Sequence, residues 1–317
     1  MHIFYLFALL FSLLLVLAQP DPGTVTGSIN IADPSVCKDN SGKYWLFSTA
    51  YVVGIEIQTC TDRTVWILIS MVWAAGQDTW TNTYTLTSNG NVWAPDCHYI
   101  DGQFYLYYAA SNFGSQNSGI FFAKSTTGLP GSWTNEGLVT STTTSNNYNA
   151  IDPNLFIDSS GAWHLTLGSF WTGIKQMSLG SSTGKLSSTT VTSVAERTAD
   201  GGAIEAGFVF QNGTFYYLFT SWDLCCQGTS STYNIRVVRG TSPTGPFIDQ
   251  SSVAATAGGG TLVLGTHGSI IGPGGQSVFL DNDGPIMVYR EFIIIPLREV
   301  YWASIDWISH PDGLLSF

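Results

Sequence analysis

Three carboxylates in this sequence have the type and placing to do acid–base chemistry. Asp33, Asp152 and Glu205 stand at the start of apolar, strand-forming runs in a 317-residue chain of which only 10% is charged. Each run leads into a turn: Ser41-Gly42, Ser160-Gly161 and Asn212-Gly213. Asp33 lies nine residues before Gly42, Asp152 nine before Gly161 and Glu205 eight before Gly213. Asp33-Pro34 and Asp152-Pro153 could each be turn starters, because Asp bonds nearby backbone N–H groups. Glu205, inside GGAIEAGFVF, has no such role. A carboxyl group forced among apolar neighbours escapes the cost of burial by staying protonated. A protonated carboxyl beside an ionised one is the equipment of glycoside hydrolysis: one protonates the leaving oxygen and the other activates water. Aromatic residues near the same strand ends suit sugar faces, and Trp93, Phe113, Trp171 and Trp222 are the candidates. For any single one of them, core packing is the simpler role.

The elements that position these groups repeat. Five segments, from Asp33, Ala94, Asp152, Glu205 and Gly272, share an apolar strand, a Gly-containing turn and an aromatic-rich return strand. The remaining turns are Asp101-Gly102 and Asp283-Gly284, and Xaa-Gly is good hairpin chemistry because Gly accepts positive φ. Spacings of roughly 50 to 70 residues leave room for about four strands per unit, the content of one propeller blade. The expectation is an all-β fold, a five-bladed β-propeller with the active site at one end of the central channel. A β-sandwich is the alternative, although it has no reason to repeat in this way. On the repeat alignment, Asp33, Asp152 and Glu205 occupy one register, with Ala94 as their counterpart in the second unit.

Bulk properties bound the function. A net charge of −11 with only 11 Lys and Arg excludes the basic footprint that nucleic-acid binding needs. The apolar run Ile3 to Leu17 has the length of a signal-peptide core and is short for a membrane span. Residues 1–18 are therefore expected to be a signal peptide and 19–317 a single secreted domain, monomeric and without a membrane anchor. There are five cysteines, an odd count, so at least one stays outside any intrachain bridge. Adjacent Cys225-Cys226 could be bridged or free, which geometry decides. Asn212-Gly213-Thr214 is an N-glycosylation acceptor at a predicted turn.

The stretches INIADPSVC, NVWAPDCHYIDGQFYLYYAASNFGSQNSGI, YNAIDPNL, LGSFWTGI, GGAIEAGFVF, SWDLCCQG and THGSIIGPGGQ resemble glycoside hydrolase family 43. Within it they are most similar to the arabinan endo-1,5-α-L-arabinosidases, over about Ile29 to Tyr289. The resemblance implies a five-bladed propeller that cleaves arabinan internally with inversion. Asp33 would be the general base, Glu205 the general acid and Asp152 the group that tunes and orients the acid. It also implies that His267 lies near a central calcium ion, and it implies no organic cofactor. The alternatives are an α-L-arabinofuranosidase or β-xylosidase of the same family, or a sugar-binding propeller without catalysis. Two departures stand out. Gly207 replaces a frequent Pro. From about residue 290 the chain is atypical, with Arg290, Glu291, Arg298 and Glu299 crowded into a charge-poor sequence.

Overall fold

The computed structural model describes residue 23 and residues 25–50, 54–88 and 91–291, with the backbone alone of Phe292 and of the strand Arg298–Ser304. Among these, the apolar runs form five sheets in chain order, antiparallel except where Thr26–Gly27 joins the first, and the fold is an all-β propeller. The sheets begin with the strands Ala32–Lys38, Val92–Ile100, Asn154–Ile157, Ile204–Asn212 and Ile271–Asp281. Each starting strand turns back on its neighbour at one of the five Xaa-Gly turns. The units are not alike, as a simple repeat would predict. Three sheets have four strands, the first has five because Thr26–Gly27 pairs in parallel with Val65–Trp66, and the last has three.

The core lies between sheets rather than within one layer. Cys37, Trp45 and Phe47 of the first sheet pack on Phe104, Leu106 and Tyr108 of the second. Tyr107 and Phe122 meet Leu155, Trp163 and Leu165 of the third. Phe156 and Ile174 meet Ile204, Leu218 and Trp222 of the fourth. Phe219 and Ile235 meet Val278, Met287 and Tyr289 of the last. Ile286 and Val288 return to Val36, Leu46 and Trp66 of the first. Burying apolar area between neighbouring sheets, at about 25 cal/mol per Å², joins each sheet to the next and the last to the first.

One polar cluster and one covalent bond join neighbouring sheets. Asp281, at the end of the last starting strand, accepts from Lys38 Nζ at 2.7 Å, Tyr44 hydroxyl at 2.6 Å and Arg63 Nη1 at 2.9 Å, all of the first sheet's segment. A disulfide links Cys37 to Cys97, with Cα atoms 5.7 Å apart. It closes a loop of 60 residues, worth about 4 kcal/mol in chain entropy. Cys60, Cys225 and Cys226 are free thiols, so the vicinal pair is unbridged.

Every starting strand carries the same irregularity. In the first, Ala32 faces Thr49 and Ser35 faces Phe47, so Asp33 and Pro34 bulge out of the ladder. Ala94-Pro95 and Ala206-Gly207 do the same. Gly275-Gln276 follows the pattern, and Asp152-Pro153 sits between the Gly168–Ile151 hydrogen bond and the Asn154–Thr166 pair. The first bulge residue is left-handed in all five: Asp33 (φ 49°), Ala94 (45°), Asp152 (53°), Ala206 (52°) and Gly275 (61°). Such a conformation costs a non-glycine residue roughly 1–2 kcal/mol. Bonds across to the neighbouring sheet offset it. Ala94 N–H donates to Thr49 Oγ1 (2.8 Å), Ala206 N–H to Asp152 Oδ2 (2.9 Å) and Gly275 N–H to Ser221 Oγ (3.0 Å).

Candidate active site

The bulges build the channel. A cavity of about 40 Å³ is lined by the two bulge residues and the one after them from all five starting strands, among them Asp33, Asp96, Asp152, Asn154 and Gln276. That volume holds about three waters, so a sugar must bind at the channel's mouth rather than within it. A ring of bonds fixes the residues just below the bulges. Cys97 N–H donates to Ser35 Oγ, Leu155 N–H to Asp96 Oδ2 and Val209 N–H to Asn154 Oδ1. Ser277 Oγ donates to Pro34 O. At the same position in the fourth sheet stands Phe208, which has no polar group to pass on. There Gln276 bridges instead, accepting from Ser221 Oγ and donating to Ala206 O at 2.7 Å.

The structure brings Asp33, Asp152 and Glu205 into mutual electrostatic range, but it alters their register. Asp33 and Asp152 are both first bulge residues. The fourth-sheet counterpart is Ala206, and Glu205 is the residue before it, equivalent to Ala32, Trp93, Ile151 and Gly274. Counting back from the turns misplaced it because the strand-to-turn distances differ between sheets. A one-residue step changes the side of the strand that a side chain leaves from. Glu205 accordingly does not line the channel cavity, whereas Asp33 and Asp152 do.

Glu205 is tightly held. Oε1 accepts from the Tyr233 hydroxyl at 2.6 Å and Oε2 from Ser169 Oγ at 2.9 Å. Burial pushes its carboxyl above the ordinary range, the Tyr233 and Ser169 bonds oppose that, and the charge of Asp33 adds to it. Asp152 is pushed up further, by burial first and then by the charges of Glu205 and Asp33. Asp33 Oδ2 accepts from Thr49 Oγ1 at 2.7 Å. Its Oδ1 lies against Gly275, where an added Cβ would sit 3.0 Å away. Tyr233 owes its place to Gly274, since a Cβ there would stand 2.1 Å from the ring.

Among the described residues, Arg290 is the cation that answers these acids. Arg290 is buried, and its charge acts on Asp33, Asp152 and Glu205. Its guanidinium lies 5.8 Å from the centre of the Tyr233 ring. The sequence made Arg290 the start of an aberrant tail; in the structure it belongs to the strand Gly284–Phe292 and completes the site. Residues 293–297 and 305–317 of that tail lie outside the described residues. Gly207 is likewise fitted, as a Cβ there would come within 2.6 Å of Ile174.

The four aromatic candidates separate. Trp93 is half-buried and shares Glu205's position in the second sheet. Trp171, 40% exposed, lies two residues after Ser169, beside Gly202 at the approach to Glu205. Phe113 is 87% exposed in the loop after the strand Gln103–Ala110. Trp222 is not available to a sugar. It is 7% exposed in the core, with the Arg197 and Arg236 guanidinium groups each 4.8 Å from its ring. The two cations, rather than a ligand, lie over the ring.

His267 is outside the cavity lining, in the hairpin His267–Ile270 that precedes the last starting strand. Its Nδ1 bonds Gly265 O at 2.8 Å, and its buried Nε2 has no hydrogen-bond partner. That leaves one nitrogen lone pair for an ion or a water. Calcium prefers oxygen ligands, and among the described residues no group of three or more His, Cys, Asp or Glu could hold a metal.

Sequence reasoning missed Tyr233, Ser169 and Thr49. Each is an ordinary hydroxyl residue far from its partner in sequence, and no local pattern marks it. Arg290 carried a signal, as one of the charges crowded into an otherwise charge-poor chain.

Comparison with known proteins agrees with this geometry. The profile described as Glycosyl hydrolases family 43 matches residues 24–297. The chain is 38% identical over 285 residues to arabinan endo-1,5-alpha-L-arabinosidase A of Aspergillus niger, covering 87% of this chain and 86% of that one. The endo-arabinanase of Bacillus licheniformis superposes with a TM-score of 0.86 at 34% identity, over 93% of this chain and 99% of that one. The Cellvibrio cellulosa α-L-arabinanase, solved with arabinohexaose, superposes at 0.83 and 28% identity, over 90% and 95%. A match of this extent, on a propeller that brings Asp33, Asp152 and Glu205 together from three sheets, means that the chain belongs to glycosyl hydrolases family 43.

Proposed function

We propose that this chain cleaves internal (1→5)-α-L-arabinofuranosidic linkages of arabinan with inversion. The observation that carries the reading is the carboxyl cluster: Glu205 held proton-rich by burial, facing Asp33, which is hydrogen-bonded only to a threonine hydroxyl among the contacts described. Glu205 is the general acid and protonates the departing oxygen. Asp33 is the general base and takes a proton from water on the opposite face of the sugar. The register difference helps, because a residue on the channel wall and one beside its mouth leave space for that water, as inversion requires. Asp152 anchors Ala206 N–H next to the acid, and its charge, when present, opposes ionisation of Glu205. Arg290 offsets part of the cluster's negative charge. Trp93, Trp171 and Phe113 supply apolar faces for arabinose units. Were calcium bound, His267 would give it one nitrogen and water the rest.

The relatives' substrate supports arabinan: the Aspergillus protein is named for it, and the Cellvibrio protein was solved with arabinohexaose. The same reading takes the three-stranded sheet as the fifth propeller blade, supported by its place between the fourth and first sheets. It also takes residues 1–18, outside the described residues, as a signal peptide. The Cys37–Cys97 disulfide supports secretion, since such bonds persist in oxidising compartments. Digestion of linear arabinan tests the activity. Short oligosaccharides as early products are the expected result, and arabinose alone would replace the endo reading with an exo one.

A further inference from the structure

Beside the carboxylates lies a thiol that the hydrolytic reading does not use. Cys226 is exposed, in a left-handed backbone conformation at φ 66°, and its Sγ accepts from Arg290 Nη2 at 3.2 Å. Arg290 is buried and cannot follow solvent, so the guanidinium is a fixed positive charge beside the sulfur of an exposed residue. The hydrogen bond with Cys225 favours the Cys226 thiolate, the nucleophilic form, and against the opposing effect of burial the charge and hydrogen bond of Arg290 favour it too. The neighbouring thiols differ. Cys225 is only partly exposed, and burial with its bond to Cys226 holds its proton on. Cys60 is buried and bonds Asp62 Oδ1 at 3.1 Å. Through Arg290, Cys226 also touches the site, because that guanidinium lies over Tyr233, whose hydroxyl holds Glu205.

We propose that Cys226 is a modification site: a thiolate held by Arg290 that exchanges with small-molecule disulfides, the resulting adduct obstructing the Glu205 side of the cleft. In the reaction Cys226 Sγ attacks one sulfur of the reagent. A protein–reagent S–S bond forms, the reagent's own S–S bond breaks, and the electron pair leaves on its second half as a thiolate. The Arg290 charge that favoured the Cys226 thiolate is then left without that partner, next to Asp33 and Tyr233. The labelling claim stands independently of the proposed hydrolysis; the loss of activity rests on it.

The test is reaction of the full chain with 4,4′-dithiodipyridine at pH 6, where an ordinary thiol is only about 0.3% ionised. One thiol per chain should react at least about tenfold faster than the others, since thiolate fraction governs the rate. Peptide mass mapping should place it at Cys226. Cys226→Ser should remove the fast phase, Cys225→Ser should keep it, and Arg290→Met should slow it at least about tenfold. Labelled wild type should lose arabinan hydrolysis, regain it with dithiothreitol, and Cys226→Ser should be insensitive. The proposal is overturned if the fast phase is absent or maps to Cys225 or Cys60. A Cys225–Cys226 bridge in the isolated protein, or full turnover by the labelled chain, would also overturn it. An unlabelled protein inert on arabinan would instead sink the hydrolytic reading, with the mapping still deciding the site.

Discussion

Two carboxylate clusters lie in this propeller, and they obey opposite electrostatics. Asp281 is met by Lys38, Arg63 and the Tyr44 hydroxyl, and those bonds hold its carboxyl below the ordinary range despite burial. At the channel mouth Asp33, Asp152 and Glu205 share one cation, Arg290, and the carboxyls of Asp152 and Glu205 are pushed up. The residue types are the same, but the balance differs: Lys38 and Arg63 meet Asp281 and Asp283, two cations to two acids, whereas among the described residues Arg290 alone meets the three acids. Where cations match acids, the cluster fastens the last sheet to the first. Where acids outnumber cations, protons remain to be moved. Strongly raised carboxyls in a cleft mark function more often than structure.

Substitutions should separate the two clusters. The largest effect is expected from Glu205→Gln, which keeps the shape and removes the transferable proton. Turnover of arabinan should fall about 10²–10⁴-fold with thermal unfolding nearly unchanged. Next, Asp281→Asn should cost stability rather than turnover, about 2–3 kcal/mol by denaturant unfolding at pH 7, because it strips partly exposed cations of their buried partner. Since the Asp281 carboxyl is depressed in the fold, its contribution is present above the unfolded value near 3.8 and disappears as pH falls below it. The gap between wild type and Asp281→Asn should therefore close in acid.

Asp152→Asn should behave in mirror image. A carboxyl raised in the fold binds its proton more tightly there than in the unfolded chain. Wild-type stability then declines as pH rises above the ordinary value near 3.8 toward the raised one. The asparagine variant escapes that decline, so it should match wild type in acid and melt a few degrees higher near neutrality, while losing most of its turnover. A melting point that moves down at neutral pH would contradict the unpaired state of this cluster. The smallest change is expected from Tyr233→Phe. Its lost hydroxyl bond favoured ionised Glu205, so the alkaline limb of the pH–rate profile should move upward, with turnover at the optimum changed no more than several-fold. A limb that stays put would take Tyr233 out of the control of the acid.

What could be read from the sequence follows the same division. The repeat of strand, Xaa-Gly turn and aromatic strand was legible because strand pattern and turn chemistry are local. Asp33, Asp152 and Glu205 were legible because a carboxylate in an apolar run conflicts with its surroundings. The bulge was not, because it sets two residues against one, and the extra residue shows only when the partner strand is counted. Glu205 was put in register with Asp33, although Ala206 holds that position, because the distance from bulge to turn is seven residues from Ala206 to Gly213 and nine from Asp33 to Gly42. Trp222 was misread because nothing local tells that Arg197 and Arg236 cover it. Arg290 was taken for a break in the pattern, since the acids it meets are up to 257 residues away, from Asp33 to Arg290.

The central claim is that Glu205 delivers the proton to the leaving oxygen. It is tested most directly by assaying Glu205→Gln on two substrates of equal length. One is an arabino-oligosaccharide cleaved at a sugar–sugar bond. The other carries an activated aryl leaving group that departs without protonation. The account predicts a turnover loss of about 10²–10⁴-fold on the first and little loss on the second. Equal losses on both would show that Glu205 binds or shapes the site without acting as its acid.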